Sequence, residues 1–251
     1  MSFGICSLSI IPCRKEPSST SEMVTQLLFG ETYKIIEDKE DWLSVVTTFD
    51  NYPCWISGKQ HTPISEKVFN ALDTKNVSSE LVQVLTNTSS SSVFPVTIGA
   101  VLPGLKNNQF SVAETGFSFE GHTIDSSQKK SIKELIDTAY LFLNAPYLWG
   151  GRSPFGIDCS GFVQLVYKLN GYKLPRDASQ QVESGSPLSF VEEAEAGDLA
   201  FFDNDLGNIV HVGIVLDNQQ IIHASGSVRV DKFDHYGIFH SDTKKYSHML
   251  R

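Results

Sequence analysis

The chain has 251 residues, of which 41% are hydrophobic and 20% charged, a composition typical of a globular protein with two or three small domains. Its formal net charge of −9 argues against a nucleic acid or an anionic membrane as partner. No apolar run approaches the ~18 residues that a transmembrane helix needs. The first residues lack the basic segment and the long apolar stretch of a secretory signal, so we expect a cytoplasmic protein with no membrane partner.

The N-terminal quarter has the pattern of short strands separated by turns. Apolar and β-branched residues recur over 7–11, 33–37, 42–47 and 53–57, with turn residues at Gly30 and at 50–51. This predicts a small barrel over residues 1–62. Cys6, Cys13 and Cys54 are expected to be reduced and buried, because no export signal precedes them.

Residues 63–125 read as a second β-rich module. A short helix is predicted over 65–73, and strands begin near Leu81, Val93 and Phe117. Serines 89–92 lie between two of these strands and are expected to form a solvated hairpin loop. We interpret this module as a second, degenerate barrel.

The remaining residues, 126–251, contain the segment on which the functional prediction depends. A helix with apolar spacing from Ile132 ends before Pro146, and a turn-rich stretch then leads into a second helical pattern beyond Asp158. Asp158 is a natural N-cap, so Cys159 is expected in the first helical turn. The positive end of a helix favours a thiolate there, and a buried inert cysteine is the alternative.

Two histidines downstream fall on a predicted hairpin. If residues 216–218 form the turn, His211 lies directly opposite His223, with about 5 Å between their Cβ atoms. One imidazole can then orient the other, which faces the thiol of Cys159. Nucleophile, base and orienting group are the parts that covalent acyl transfer needs. A zinc site is the alternative, but the sequence lacks a Cys-x-x-Cys pair, so no metal or cofactor is expected.

Ordered motifs in this region resemble those of the NlpC-type papain-like cysteine peptidases. They are Pro146-Tyr147-Leu-Trp149-Gly150-Gly151, Asp158-Cys159-Ser160-Gly161-Phe162, Leu174-Pro-Arg176-Asp177, Ala196-Gly197-Asp198-Leu199, His211-Val-Gly213 and His223-Ala-Ser225. The resemblance implies that Cys159 is the nucleophile, His211 the general base and His223 the orienting residue. It also implies that the Tyr147 hydroxyl assists the oxyanion, although a core aromatic is the other interpretation.

The first module resembles a bacterial SH3-like domain. The resemblance is carried by Leu28-Phe-Gly-Glu31, Asp41-Trp42-Leu-Ser-Val and Tyr52-Pro-Cys-Trp55-Ile, with Cys54 in place of the usual glycine. The two resemblances together imply an α+β papain-like catalytic domain preceded by two small all-β SH3-like barrels. The arrangement of two β modules before a peptidase domain resembles that of the family members that recycle cell-wall peptides.

In those recycling members the first β module and the peptidase domain bind the free amine of an N-terminal L-Ala. Carboxylates and hydroxyls would be needed around that ammonium. The residues that the resemblance nominates for substrate binding are Asp158, Ser160, Asp177, Arg176, Glu22 and Tyr52. Asp158 has helix capping as a competing role and Glu22 has a solvated surface position. Arg176 is either a structural residue or a partner of a substrate carboxylate.

The resemblance therefore implies an endopeptidase that hydrolyses the γ-D-Glu to diamino acid bond of free cell-wall peptides such as L-Ala-γ-D-Glu-diaminopimelate. We expect a monomer, although the sequence itself does not reveal the oligomeric state. An exported endopeptidase acting on intact wall is one alternative. A non-catalytic module that binds cell-wall peptides is another, and an acyltransferase on the same fold is a third. The sequence leaves the accepted diamino acid undecided.

Overall fold

A computed structural model describes residues 2–240 and 243–251. The chain divides into two compact units, each of which is described by itself. The N-terminal unit comprises the residues up to Gln128 together with Gly150–Pro154. The C-terminal unit comprises Lys129–Trp149 and Phe155–Arg251.

The first half of the N-terminal unit consists of antiparallel strands, as predicted. They are β1 (Ser2–Ile5), β2 (Ile10–Arg14), β3 (Met23–Leu28), β4 (Thr32–Lys39), β5 (Trp42–Thr47), β6 (Pro53–Ser57) and β7 (Thr62–Ile64). Their order in the sheet is β3-β2-β6-β5-β4-β1-β7. Cys6, Cys13 and Cys54 are buried free thiols within this half, which confirms their prediction.

The second half contains one short helix and smaller sheets. The elements are α1 (Glu66–Ala71), β8 (Asn76–Ser78), β9 (Val82–Asn87), β10 (Val93–Thr97), β11 (Gln109–Val112), β12 (Thr115–Ser118) and β13 (Thr123–Asp125). Four strands follow the order β10-β9-β12-β11, and β8 pairs with β13. Helix α1 begins after Ser65, whose hydroxyl accepts the N–H of Val68 as an N-cap.

One hydrophobic core crosses the predicted border between residues 62 and 63. Ile5 and Phe29 from the first half are fully buried among Leu85, Val96 and Phe117 of the second half. Strand β7 also lies across this border and pairs with β1. The interpretation of residues 63–125 as a separate second barrel stays a prediction, since its core is shared.

A buried ion pair completes the N-terminal unit. Arg152, on the two-residue strand β14 (Arg152–Ser153), donates from Nη1 and Nη2 to the two carboxylate oxygens of Glu31 at 2.8 and 3.1 Å. Its backbone N–H also donates to the side-chain oxygen of Gln26 at 2.7 Å. The segment 150–154 is thereby anchored to strands that precede it by more than a hundred residues.

The C-terminal unit combines helices with a closed antiparallel barrel. Its elements are α2 (Ile132–Leu141), β15 (Gly156–Ile157), α3 (Cys159–Leu169), α4 (Ala178–Gln181), β16 (Leu199–Asp203), β17 (Ile209–Leu216), β18 (Gln220–Ser225), β19 (Ser227–Asp234), β20 (Gly237–His240) and β21 (Lys245–Leu250). Strands β16 to β21 close into a barrel, because β21 pairs back with β16. The sequence pattern predicts the strands up to β19, and it misses β20 and β21.

Helix α3 is buried on every side except at Tyr167. It packs against β17 and β18 and also contacts α2. Its buried surface includes polar side chains, of which Gln164 donates from Nε2 to the carbonyl of Leu174 at 3.2 Å. Helix and sheet together fix the position of residue 159 against the strand that carries residue 211. None of the helices in residues 2–240 and 243–251 is long and apolar enough to cross a membrane.

Candidate active site

Cys159 is the first residue of α3, as predicted. The carboxylate of Asp158 caps the helix by accepting the backbone N–H of Gly161 at 2.7 Å. Asp158 has extended backbone angles, which is the usual conformation of an N-cap. The cap fixes where the helix starts, and therefore where the thiol lies.

Burial decides the protonation state of this thiol. Burial, with a smaller contribution from the charge of Asp158, raises the pKa of Cys159 to about 11. Hydrogen bonds from the backbone N–H groups of Val212 and Ser160 and the charge of Arg176 act in the opposite direction but are weaker. Burial thus acts against the thiolate expected at the helix N-terminus, so in the unliganded protein the thiol of Cys159 needs a base to take its proton.

Alkylation of Cys159 should report this state directly. Because only the thiolate reacts, we expect the rate of modification by iodoacetamide to rise continuously from pH 6 to beyond pH 9. A pre-formed thiolate would instead give a rate that is independent of pH over the neutral range. Mass spectrometry of the Cys159 peptide from samples quenched at set times measures the rate at each pH. The Cys159→Ala variant is the control for modification of the three other buried thiols. A flat profile would contradict the raised pKa.

The hairpin of β17 and β18 exists, but its register differs from the prediction. The turn occupies residues 217–219, with positive φ at Asn218 and Gln219, and Leu216 pairs with Gln220. His223 is thus opposite Gly213 and diagonal to His211, not directly opposite it. The error arises because moving a three-residue turn by one position shifts the pairing by two residues. Such a shift keeps every side chain on its face.

The two histidines nevertheless meet. His211 Nε2 lies 2.8 Å from His223 Nδ1, and the two rings are nearly perpendicular at 84°. Gly213 makes this diagonal contact feasible, because a Cβ at this position would lie 2.9 Å from the Cβ of His223. Both histidines are buried: 4% of the surface of His211 and 1% of the surface of His223 is exposed.

His211 is suited to accept a proton. Burial, followed by the neighbouring His248 and His223, holds the pKa of His211 well below its usual value, so the ring is neutral at pH 7. Its Nε2 is engaged by His223, which leaves Nδ1 for the thiol. The N–H of Val212, the next residue on β17, hydrogen-bonds the sulfur of Cys159 and brings the two elements together.

Four polar residues around the histidines were not predicted. Asp231 and Arg229 lie on β19, His240 on β20 and His248 on β21. His248 stacks on His211 with ring centroids 4.1 Å apart, and burial lowers the pKa of His248 to about 4. Arg229 and Asp231 are two residues apart on the strand predicted near 229–233, so their side chains lie on one face, and this could have indicated Asp231. Nothing in the sequence marks His248.

Tyr147 lies on the loop after α2, where its backbone N–H donates to the carbonyl of Gly226 at 3.0 Å. Its ring is half-buried, and burial, followed by the charges of Cys159 and Asp158, raises the pKa of Tyr147 to about 12. The phenol therefore keeps its proton and can donate a hydrogen bond close to the nucleophile. This placement is compatible with the predicted role at the oxyanion.

Arg176 is a structural partner of Asp158 in this conformation. Its Nη1 and Nη2 donate to the two oxygens of Asp158 at 3.0 and 2.6 Å, and Nη1 also donates to Ser160 Oγ at 2.9 Å. Of the two interpretations left open by the sequence, the contact with the protein's own carboxylate is the one observed. Three predicted site residues thus converge beneath the first turn of α3.

The other nominated residues are Asp177 in the C-terminal unit and Glu22 and Tyr52 in the N-terminal unit. Asp177 is the N-cap of the short helix α4 and is half-buried. Glu22 and Tyr52 belong to the N-terminal unit, where Glu22 forms an ion pair with Lys15 at 3.2 Å and Tyr52 packs against the core of the first half. Their role in substrate binding stays a prediction.

Comparison with known proteins agrees with this geometry. Residues 144–246 match the family described as NlpC/P60, and residues 13–60 match the bacterial dipeptidyl-peptidase SH3 domain. The crystal structure of an NlpC/P60 family protein from Bacillus cereus superposes with a TM-score of 0.83 over 99% of both chains, at 21% identity. That structure supports the fold of the chain, and the family match over residues 13–60 supports one SH3 domain within it.

Sequence relatives cover most of the chain. A γ-D-glutamyl-L-lysine dipeptidyl-peptidase from Bacillus subtilis is 31% identical over 215 residues, which are 80% of this chain and 71% of the relative. A dipeptidyl-peptidase 6 from Lysinibacillus sphaericus is 28% identical over 87% of each chain. A probable endopeptidase p60 from Listeria welshimeri is 44% identical, but only over 36% of this chain. Because residues 144–246 match the family model and the relative from Bacillus subtilis is 31% identical over 80% of this chain, the chain belongs to the NlpC/P60 family of cysteine peptidases.

Proposed function

We propose that the protein hydrolyses the γ-D-glutamyl to diamino acid bond of free cell-wall peptides, such as L-Ala-γ-D-Glu-diaminopimelate, in the recycling of cell-wall material. The alignment with a γ-D-glutamyl-L-lysine dipeptidyl-peptidase over 80% of this chain is the observation that carries the proposal. A relative that matched only the catalytic unit would not carry it. We also propose that the protein is a monomer in the cytoplasm, where such released peptides would be met.

The chemistry follows from the order of the contacts. His211 Nδ1 takes the proton of the Cys159 thiol, and the sulfur attacks the scissile carbonyl carbon to form a C–S bond. The carbonyl oxygen becomes an oxyanion, for which the Tyr147 hydroxyl and the backbone N–H of Cys159 are the donors. The protonated His211 then gives its proton to the leaving amine as the C–N bond breaks. Water hydrolyses the remaining thioester after losing a proton to the same nitrogen, which frees the γ-carboxyl of the D-Glu residue and the thiol.

Recognition of the free amine is assigned to polar residues near the nucleophile. Asp158, Ser160 and Asp177 are the candidates in the catalytic unit. The carboxylate of Asp158 binds Arg176, and Asp177 caps α4, so each would combine a contact with an ammonium group and a structural role. Glu22 and Tyr52 remain the candidates from the N-terminal unit. Asp177→Asn should raise KM for the free peptide and leave KM for an N-acetylated peptide unchanged.

Product analysis by mass spectrometry tests the proposal. L-Ala-γ-D-Glu-diaminopimelate and its N-acetylated form are offered separately to the wild type and to Cys159→Ala. The expected result is release of L-Ala-D-Glu from the free peptide alone, which the substitution abolishes. Equal cleavage of both peptides would overturn the amine requirement, and cleavage by Cys159→Ala would overturn the assignment of the nucleophile.

A second candidate is an endopeptidase that acts on intact wall. It is favoured by the 44% identity, over 36% of this chain, to a probable endopeptidase p60. In the intact wall the L-Ala nitrogen is acylated, so this candidate predicts cleavage of the N-acetylated peptide and release of fragments from purified sacculi. The same two peptides therefore separate the candidates.

A further inference from the structure

A chain of hydrogen bonds runs from His211 through His223 to Asp231. His211 Nε2 and His223 Nδ1 are 2.8 Å apart, and His223 Nε2 and Asp231 Oδ2 are 3.1 Å apart. The three residues lie on the neighbouring strands β17, β18 and β19, each diagonal to the next, because His223 pairs with Gly213 on one side and with Arg229 on the other. Side chains at such diagonal positions share one face of a sheet.

Asp231 is a fixed acceptor at the end of this chain. Its side chain is fully buried. Arg229 donates to it twice, from Nε to Oδ2 at 2.5 Å and from Nη2 to Oδ1 at 2.9 Å. Burial alone would raise the pKa of Asp231, but hydrogen bonds from His223 and Arg229 outweigh burial and keep that pKa below its usual value. An ionised carboxylate can only accept hydrogen bonds.

Arg229 is itself held in place on its other side. Its Nη1 lies 2.7 Å from His240 Nε2, so the guanidinium spans β19 and β20. A planar guanidinium with bonds to both carboxylate oxygens restricts the rotation of that carboxylate. The oxygen that faces His223 therefore keeps its position.

The carboxylate of Asp231 determines which ring nitrogen carries the proton in each of the two histidines. Since Asp231 Oδ2 only accepts, a neutral His223 must carry its proton on Nε2 and expose a lone pair on Nδ1. That lone pair can only accept from His211 Nε2–H. His211 then has its own lone pair on Nδ1, which is the nitrogen left for the Cys159 proton.

We propose that Asp231, held by Arg229, is a positioning residue that sets the tautomers of His223 and His211, so that His211 presents an unprotonated Nδ1 to Cys159. Asp231 touches neither the thiol nor the scissile bond. It also places a negative charge behind the two imidazoles when His211 gains a proton during acylation. The inference rests on the cysteine peptidase assignment and not on the identity of the peptide.

Histidine side-chain NMR gives the first test. Long-range ¹H–¹⁵N spectra of the wild-type protein should show His223 with its proton on Nε2, and His211 likewise. The proposal is overturned if the neutral His223 carries its proton on Nδ1. This measurement needs no variant, so it decides the point even if substitutions at residue 231 prevent folding.

Asp231→Asn gives the second test. An amide can donate to His223 Nε2 and thereby favour the opposite tautomer along the chain. We expect the rate of Cys159 alkylation at pH 7 to fall about 10- to 100-fold, by analogy with the loss that follows when the hydrogen-bond partner of a metal-binding histidine is removed. Asp203→Asn is the matched control, because Asp203 lies on β16 of the same barrel and pairs with Arg251 at 3.2 Å.

Alkylation keeps this test separate from the substrate proposal. A protein that is alkylated normally but cleaves neither peptide would sink the proposed substrate and leave the role of Asp231 intact. Conversely, wild-type alkylation and unchanged tautomers in Asp231→Asn would overturn the role of Asp231, whatever the substrate is. With an active peptide substrate, the loss should fall on kcat and not on KM, since Asp231 does not face the substrate.

Discussion

Replacing His211 by Gln is expected to lower kcat by a factor on the order of 10⁴ while KM changes little. The imidazole is neutral and lies beside the strand N–H that bonds the Cys159 sulfur, so it is the group placed to take the thiol proton. Glutamine fills similar space and can still bond His223, but it cannot accept a proton near pH 7. Steady-state hydrolysis of the γ-D-Glu peptide measures the two constants.

His235→Gln is the matched control for this loss. His235 lies in the exposed turn between β19 and β20, and its ring packs at an angle of 43° to that of Tyr236. Its variant should have wild-type kcat. If His211→Gln kept more than a tenth of the wild-type kcat, the general base would have to be a different residue.

The second large effect concerns stability. Arg176→Met should lower the free energy of unfolding of the C-terminal unit by about 3–5 kcal/mol, because it leaves the carboxylate of Asp158 buried without its cationic partner. The side chains of the pair are 1% and 7% exposed, so water cannot replace the guanidinium. Urea unfolding of the wild type and the variant, followed by circular dichroism under the same conditions, measures this loss.

Two further variants decide how this loss is interpreted. Adding Asp158→Asn to Arg176→Met removes the stranded charge while keeping a good N-cap residue, so part of the lost stability should return. Arg251→Met breaks an exposed ion pair with Asp203 and should cost no more than about 1 kcal/mol. Equal decreases of the free energy of unfolding in Arg176→Met and Arg251→Met would show that the buried pair stabilises the protein no more than the exposed pair does.

Local sequence signals were sufficient where one short segment decides the structure. Asp158 predicted the start of α3, and therefore the place of Cys159, because capping depends on neighbours within three residues. Ser131 and Glu134 form a capping box at the start of α2, close to the predicted start of that helix. Helix α1 likewise lies inside the predicted range of 65–73.

Signals failed where distant parts of the chain decide the result. The raised pKa of Cys159 comes from burial by other elements, whereas the sequence shows only the favourable helix end. His248 reaches His211 because the barrel closes, and closure depends on pairing between β16 and β21. The turn of the β17–β18 hairpin was placed one residue too early, since Asp217-Asn218 is compatible with either position.

Closure of the barrel also limits how a peptide can be bound. Many domains recognise extended peptides by adding them as a further strand, through main-chain hydrogen bonds at a sheet edge. Because β16 and β21 pair with each other, the described barrel offers no such edge. A γ-linked D-residue has extra main-chain atoms and inverted chirality, so it could not continue a regular β-ladder in any case. Pairing of Phe202 with Leu250 and of Asp203 with Met249 therefore closes the position at which an ordinary peptide would add a strand between β16 and β21.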